Sequence, residues 1–102
     1  MQKEHILDYL SHIKSELMKN GIEKIGLFGS FAQDKATPFS DIDIAIQIQK
    51  GYLEKHDVWE YFTLIDIIKQ KLLKKFSRKV DIYDLDSTGN ITDAISKDII
   101  YV

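Results

Sequence analysis

Cysteine is absent from these 102 residues. That excludes a disulfide framework, a thiolate metal site and a thiol nucleophile. Proline occurs once, at Pro38, and glycine five times, far below the share of a collagenous or low-complexity chain. No apolar run approaches the ~20 residues that cross a bilayer, so no membrane association is expected. The start, Met1-Gln2-Lys3-Glu4-His5, has no basic segment leading into an apolar block, and no signal peptide is expected. Positive charge is not in excess either: 14 basic residues face 16 acidic ones, a formal net charge of -2. General nucleic-acid binders draw affinity from a basic surface, so nucleic acid is not expected as a direct ligand. What is present is apolar character, 44% of the residues, enough for a core. The length suits one domain over residues 1–102, and a reducing cytoplasm is the expected setting.

Periodicity lays out the elements. Ile6, Leu10, Ile13 and Leu17 recur at helical spacing, which predicts an amphipathic helix over residues 5–20 with Gly21 ending it. Residues 22–28 read as a short buried strand. Gly29 breaks it, and Ser30 is expected to cap a brief helix beginning near Phe31. Residues 33–40 read as a loop. Over residues 41–49, Ile42, Ile44, Ile46 and Ile48 alternate with Asp41, Asp43, Ala45, Gln47 and Gln49, the clearest strand in the chain. Asp57 and Glu60 form an acidic capping box for a long helix ending near Phe76. Its expected buried stripe is Val58, Phe62, Ile65, Ile68, Leu72 and Phe76. Trp59, Tyr61, Leu64 and Ile67 add apolar surface that suits either a thick core or a partner interface. A third strand covers residues 79–85 and a turn residues 86–89. Asn90 is expected to cap a short helix over residues 91–97, and residues 99–102 to form an edge strand. The order α-β-α-β-α-β-α predicts an α/β (α+β) fold, a small mixed sheet flanked by helices. The second strand need not run parallel to the first, because the intervening helix is too short to force a crossover.

The chemistry-bearing residues sit at strand ends. Gly29-Ser30-Phe31 is followed, eleven residues after Ser30, by Asp41-Ile42-Asp43. Side chains two apart on a strand point the same way, roughly 6.6 Å apart along it. Asp81, between Val80 and Ile82, joins that side if the strands are neighbours. Aspartate is depleted in strands, so this convergence calls for a reason. Carboxylates so close repel, and the group binds a proton or cations. Hard divalent ions suit oxygen ligands, and Mg²⁺ completes its shell with water and substrate phosphates. A glycine after a strand lets backbone approach a ligand, and amides at a helix start can face phosphate. No Walker-type Gly-Lys-Ser/Thr is present.

Gly29-Ser30-Phe31-Ala32 together with Ser40-Asp41-Ile42-Asp43-Ile44 resembles the signature of the nucleotidyltransferase superfamily that includes DNA polymerase β. The small size and the ending Ile95 to Tyr101 are most similar to minimal nucleotidyltransferases, the MNT proteins. The resemblance covers almost the whole chain and implies a polymerase β-like fold. It implies that Gly29, Ser30, Phe31 and Ser40 bind the nucleotide. It implies that Asp41, Asp43 and Asp81 are catalytic and hold two Mg²⁺, with ATP as substrate. It further implies an antitoxin that moves AMP onto a tyrosine hydroxyl of a small helical RNase toxin of the HEPN type, in a hetero-oligomer with that toxin.

The sequence departs from the family pattern at one place. Gln33-Asp34 stands where such proteins carry Arg-Gly. A cation near the phosphates is lost and an anion gained, which opens a second reading: a catalytically weak antitoxin, or an ATP-binding module that neutralises its partner by binding alone. A transferase acting on a small hydroxylated molecule or an RNA end is a third. Lys69, Lys71, Lys74, Lys75, Arg78 and Lys79 form a cationic run. It suits a solvated helix end, where cations oppose the dipole, or a patch for phosphates. His5, His12 and His56 read as surface histidines. Tyr83 and Tyr101 read as core aromatics or as walls of a nucleotide pocket.

Overall fold

The computed structural model describes residues 2–86 and 98–102. Its elements are α1 (Lys3–Lys19), β1 (Ile22–Phe28), α2 (Gly29–Ala32), β2 (Ile42–Ile48), α3 (Tyr52–Lys55), α4 (Val58–Phe76), β3 (Val80–Asp84) and β4 (Ile100–Tyr101). The sheet order is β3-β2-β1-β4. β1 is antiparallel to β2 and to β4, while β2 and β3 run parallel. The parallel pair needs a crossover, and α4 supplies it. The mixed α/β sheet agrees with the sequence reading, as does the edge strand near the end of the chain. The expected helix over residues 91–97 and its Asn90 cap lie outside the described residues. Among the described residues, no helix is long and apolar enough to cross a membrane.

The isoleucine alternation builds the core. Ile42, Ile44 and Ile46 are fully buried, together with Ile25 and Leu27 from β1. Ile6, Leu10, Ile13 and Leu17 of α1 and Leu64, Ile68 and Leu72 of α4 join the same cluster. Burying each such side chain stabilises the fold by about 1.5–3 kcal/mol. Tyr9 of α1 meets Phe76 of α4 edge-on, centroids 5.6 Å apart, so the two helices lie side by side on this face. The opposite face carries Asp43, Ala45 and Gln47.

Three local expectations change. Ser30 is not a cap: Phe28 holds the N-cap position of α2 and no side chain caps the helix. The buried stripe of α4 turns out to be Leu64, Ile68 and Leu72, with Tyr61, Ile65 and Phe76 at its margins. Val58, Trp59 and Phe62 are 50%, 74% and 55% exposed. Phe62 lies about 120° round the helix from Ile68, beyond the arc that reaches the sheet. The short helix α3 was not anticipated. The Asp57 cap is as expected, its carboxylate accepting the Glu60 amide at 2.8 Å. Gly21 does end α1, at φ 117°, where a Cβ would strike the Tyr52 ring.

Candidate active site

Because β1 runs against β2 and β3 runs with it, the end of β1 meets the starts of the other two. Phe28, the last residue of β1, is the register partner of Asp43, and Asp43 is in turn aligned with Asp81. Residues aligned across strands point to the same side, so Asp43 and Asp81 share the face opposite the helices. Gly29 turns away from β1 at φ 76°, and a Cβ there would collide with the Asp43 carboxyl group, whose Cγ would be 3.0 Å away. Only glycine lets the backbone lie against this carboxylate. Asp41 stands just before β2, and the Ile42 amide donates to the Lys79 carbonyl at 2.9 Å, closing the start of β2 onto β3.

The electrostatics follow from that crowding. Asp43 has its pKa raised from 3.8 to about 6, first by burial, then by the charges of Asp81 and Asp41. No cation appears among these causes. Lys79 reaches Asp41 at 3.8 Å, but both groups are well exposed and the pair is weak. Tyr83 lies edge-on to Phe28 at 5.1 Å. Its phenol is pushed up, mainly by burial and then by Asp43 and Asp81.

The other sequence-selected residues divide. Phe31 is 4% exposed, which leaves its backbone rather than its ring to face a ligand. The Ser40 hydroxyl accepts the Thr37 amide at 2.8 Å and belongs to its own loop turn. Asp34 points to Lys3, 3.0 Å away. The cationic run splits: Lys74 and Lys75 occupy the last turn of α4, whereas Arg78 and Lys79 stand at the acidic edge. His56 bonds Glu60 at 2.5 Å and stacks on Tyr52, away from the acids. A groove of about 700 Å³, lined by Gly21, Gln49, Tyr52 and Trp59, opens at the opposite end of the strands and shares no residue with the acidic cluster. Arg78, which the sequence showed only as one member of the cationic run, stands at the edge of the site with its Nη1 on the Ser40 carbonyl.

Among the described residues, no three His, Asp or Glu side chains are arranged to enclose a metal unaided. The donor set instead fits an ion that takes one or two carboxylates and completes its shell from water and substrate phosphates, as Mg²⁺ does. The Asp43 pKa is lifted first by burial and then by the charges of Asp81 and Asp41, and a bound cation would oppose both.

Residues 11–101 match the family described as polymerase beta, nucleotidyltransferase. The chain belongs to that family. A candidate protein adenylyltransferase of Methanocaldococcus jannaschii, MJ1379, is 32% identical over 103 residues, covering 91% of this chain and 97% of its own. A second from that organism, MJ0128, is 32% identical over 93 residues, with 89% and 87% covered. The solved structure of a candidate minimal nucleotidyltransferase has the same fold, with a TM-score of 0.72 at 20% identity over 98% of this chain and 95% of that one. A toxin–antitoxin crystal structure with AMP-PNP aligns at a TM-score of 0.53 and 28% identity, over 78% of this chain and 60% of that chain.

Proposed function

We propose that this nucleotidyltransferase transfers AMP from ATP to a tyrosine hydroxyl of a small HEPN-type toxin, and so acts as its cytoplasmic antitoxin. The adenylyltransferase relatives support the reaction class, and the AMP-PNP toxin–antitoxin neighbour supports the nucleotide and the kind of partner. The observation that carries the reading is the register of Asp43 with Asp81 beside a glycine at φ 76° whose missing Cβ leaves room for the Asp43 carboxyl group.

In this reading Asp41, Asp43 and Asp81 would hold two Mg²⁺, and the Gly29–Ser30 turn, the Phe31 backbone and the Ser40 loop would line the triphosphate. Bound there, Mg²⁺ would lower the pKa of the acceptor hydroxyl and offset the charge of the departing pyrophosphate. The residues of the chain do the rest. Asp81 would help activate the acceptor hydroxyl and take its proton. The hydroxyl oxygen bonds to the α-phosphorus as the bond from that phosphorus to its bridging oxygen breaks, and the electron pair leaves with pyrophosphate. The products are an adenylyl ester, pyrophosphate and one proton. Positioning supplies most of the acceleration in such a transfer.

Incubation with labelled ATP, MgCl₂ and the toxin tests the reaction. The native chain is expected to label the toxin, and Asp41→Ala and Asp43→Ala to leave it unlabelled while still folded. An undiminished adduct with either variant refutes the catalytic role. Gln33-Asp34 favours the runner-up, neutralisation by binding alone, in which both variants would still silence the toxin in cells.

A further inference from the structure

Arg78 lies in the short link between α4 and β3, and its side chain leaves that link to join two other segments. Its Nη1 donates to the carbonyl oxygens of Thr37, Pro38 and Ser40 at 3.4, 3.1 and 2.9 Å. Its guanidinium carbon stands 5.3 Å from the centre of the buried Phe31 ring. One side chain thus ties together α2, which carries Ser30, the loop that delivers Asp41, and the start of β3, which carries Asp81.

The loop depends on this tie. Its other hydrogen bonds are internal: the Thr37 amide to Ser40 Oγ, the Ser40 amide to the Thr37 carbonyl and the Phe39 amide to Thr37 Oγ1. Among the described residues, every hydrogen bond from residues 37–40 to the rest of the chain comes from Arg78. Three carbonyl dipoles aimed at one point repel one another unless a cation sits there. Removing it lets them splay, and the Ser40 carbonyl is one peptide bond from Asp41. Among the described residues, the Asp41 carboxylate has only its exposed partner Lys79 to steady it.

We propose that Arg78 is a positioning residue for AMP transfer, fixing Asp41 against Asp43 and Asp81 by gathering the 37–40 carbonyls while lying over Phe31. The proposal rests on the nucleotidyltransferase reading above. A lysine would put a compact, strongly hydrated ammonium in place of the weakly hydrated, delocalised guanidinium that lies over Phe31.

The test uses the full chain with Arg78→Ala and Arg78→Lys, both checked for folding by circular dichroism. In the labelled-ATP assay, kcat is expected to fall about 10- to 100-fold in both variants, the scale of a 1 Å misplacement, with KM for ATP within about threefold of native. Methylguanidinium at millimolar concentration is expected to restore part of the Ala variant's turnover. Hydrogen exchange is expected to speed up about tenfold or more at residues 37–42 in both variants and to stay unchanged in α4. Native turnover in either folded variant, or unchanged loop exchange, overturns the proposal. If the native chain transfers no AMP, the functional reading fails, whereas loop exchange still decides the positioning role.

Discussion

Replacing Asp43 by asparagine should make the protein more stable. The folded chain holds this carboxyl at about 6 against 3.8 for an unperturbed group, so its ionised form is disfavoured by folding. A shift of that size corresponds to about 3 kcal/mol at the usual 1.36 kcal/mol per unit. The side chain is only partly buried, and solvent screening reduces the figure to about 1–2 kcal/mol. The sign follows from which state holds the proton. Below pH 3.8 both folded and unfolded chains carry a neutral carboxyl, and the cost is absent. It develops as pH rises toward about 6, where the folded group ionises, and is constant above that. Asparagine keeps the shape and never ionises. Urea unfolding in EDTA is therefore expected to show Asp43→Asn ahead of native by about 1–2 kcal/mol at pH 8, the gap closing near pH 4. Adding MgCl₂ at pH 8 should narrow the gap by stabilising the native chain alone. A variant equal to or weaker than native at pH 8 without metal would refute the claim that this carboxylate is held against its preference.

Gly29→Ala is expected to fold poorly and to lose AMP transfer, because the new Cβ meets the Asp43 carboxyl and φ 76° is costly for an L side chain; a thermal melt beside the labelling assay checks both. Ile44→Ala removes a fully buried core side chain and should cost about 2–5 kcal/mol in urea unfolding, with no change in nucleotide preference. Tyr61→Phe deletes a 2.6 Å hydrogen bond to Asp84 and should cost about 1–2 kcal/mol by the same measurement. The double change Gln33→Arg with Asp34→Gly should raise kcat about tenfold by restoring a cation near the phosphates, and an unchanged rate would show that this position does not touch the nucleotide.

The strands were legible in the sequence because their signal is local. Period-two isoleucines over β2 can bury only one face, and once that face is fixed the aspartates must take the other. The alignment of Asp81 with Asp43 was conditional, since parallel pairing across α4 is a tertiary event that no spacing encodes. The α4 stripe was misread for a physical reason: residues 61–68 are apolar on several sides, and only the reach of the sheet decides which side is covered. Asp34 shows the reverse case. Its φ of 57° is a glycine conformation, which accounts for a glycine in the family pattern, but the aspartate hid the turn. Arg78 escaped because its partners are backbone carbonyls, which carry no residue identity to find.

The placement of charge argues that the acidic edge is kept for something from outside the chain. A structural ion-pair network would set a cation against the most buried acid, lowering its pKa and returning stability. Here the nearby cations stop at the rim. Lys79 touches Asp41, which stands just before β2, at 3.8 Å, and Arg78 turns its Nη1 to carbonyls. Asp43, at the centre, is left with two like charges and a glycine backbone against it. Lysine and arginine are available two and three residues before Asp81, so the sequence has the means to neutralise this centre and does not use it. A folded chain that keeps such a deficit loses stability for as long as the site is empty of positive charge. That loss is understandable where a cation-bearing substrate such as magnesium-bound ATP makes it good during turnover.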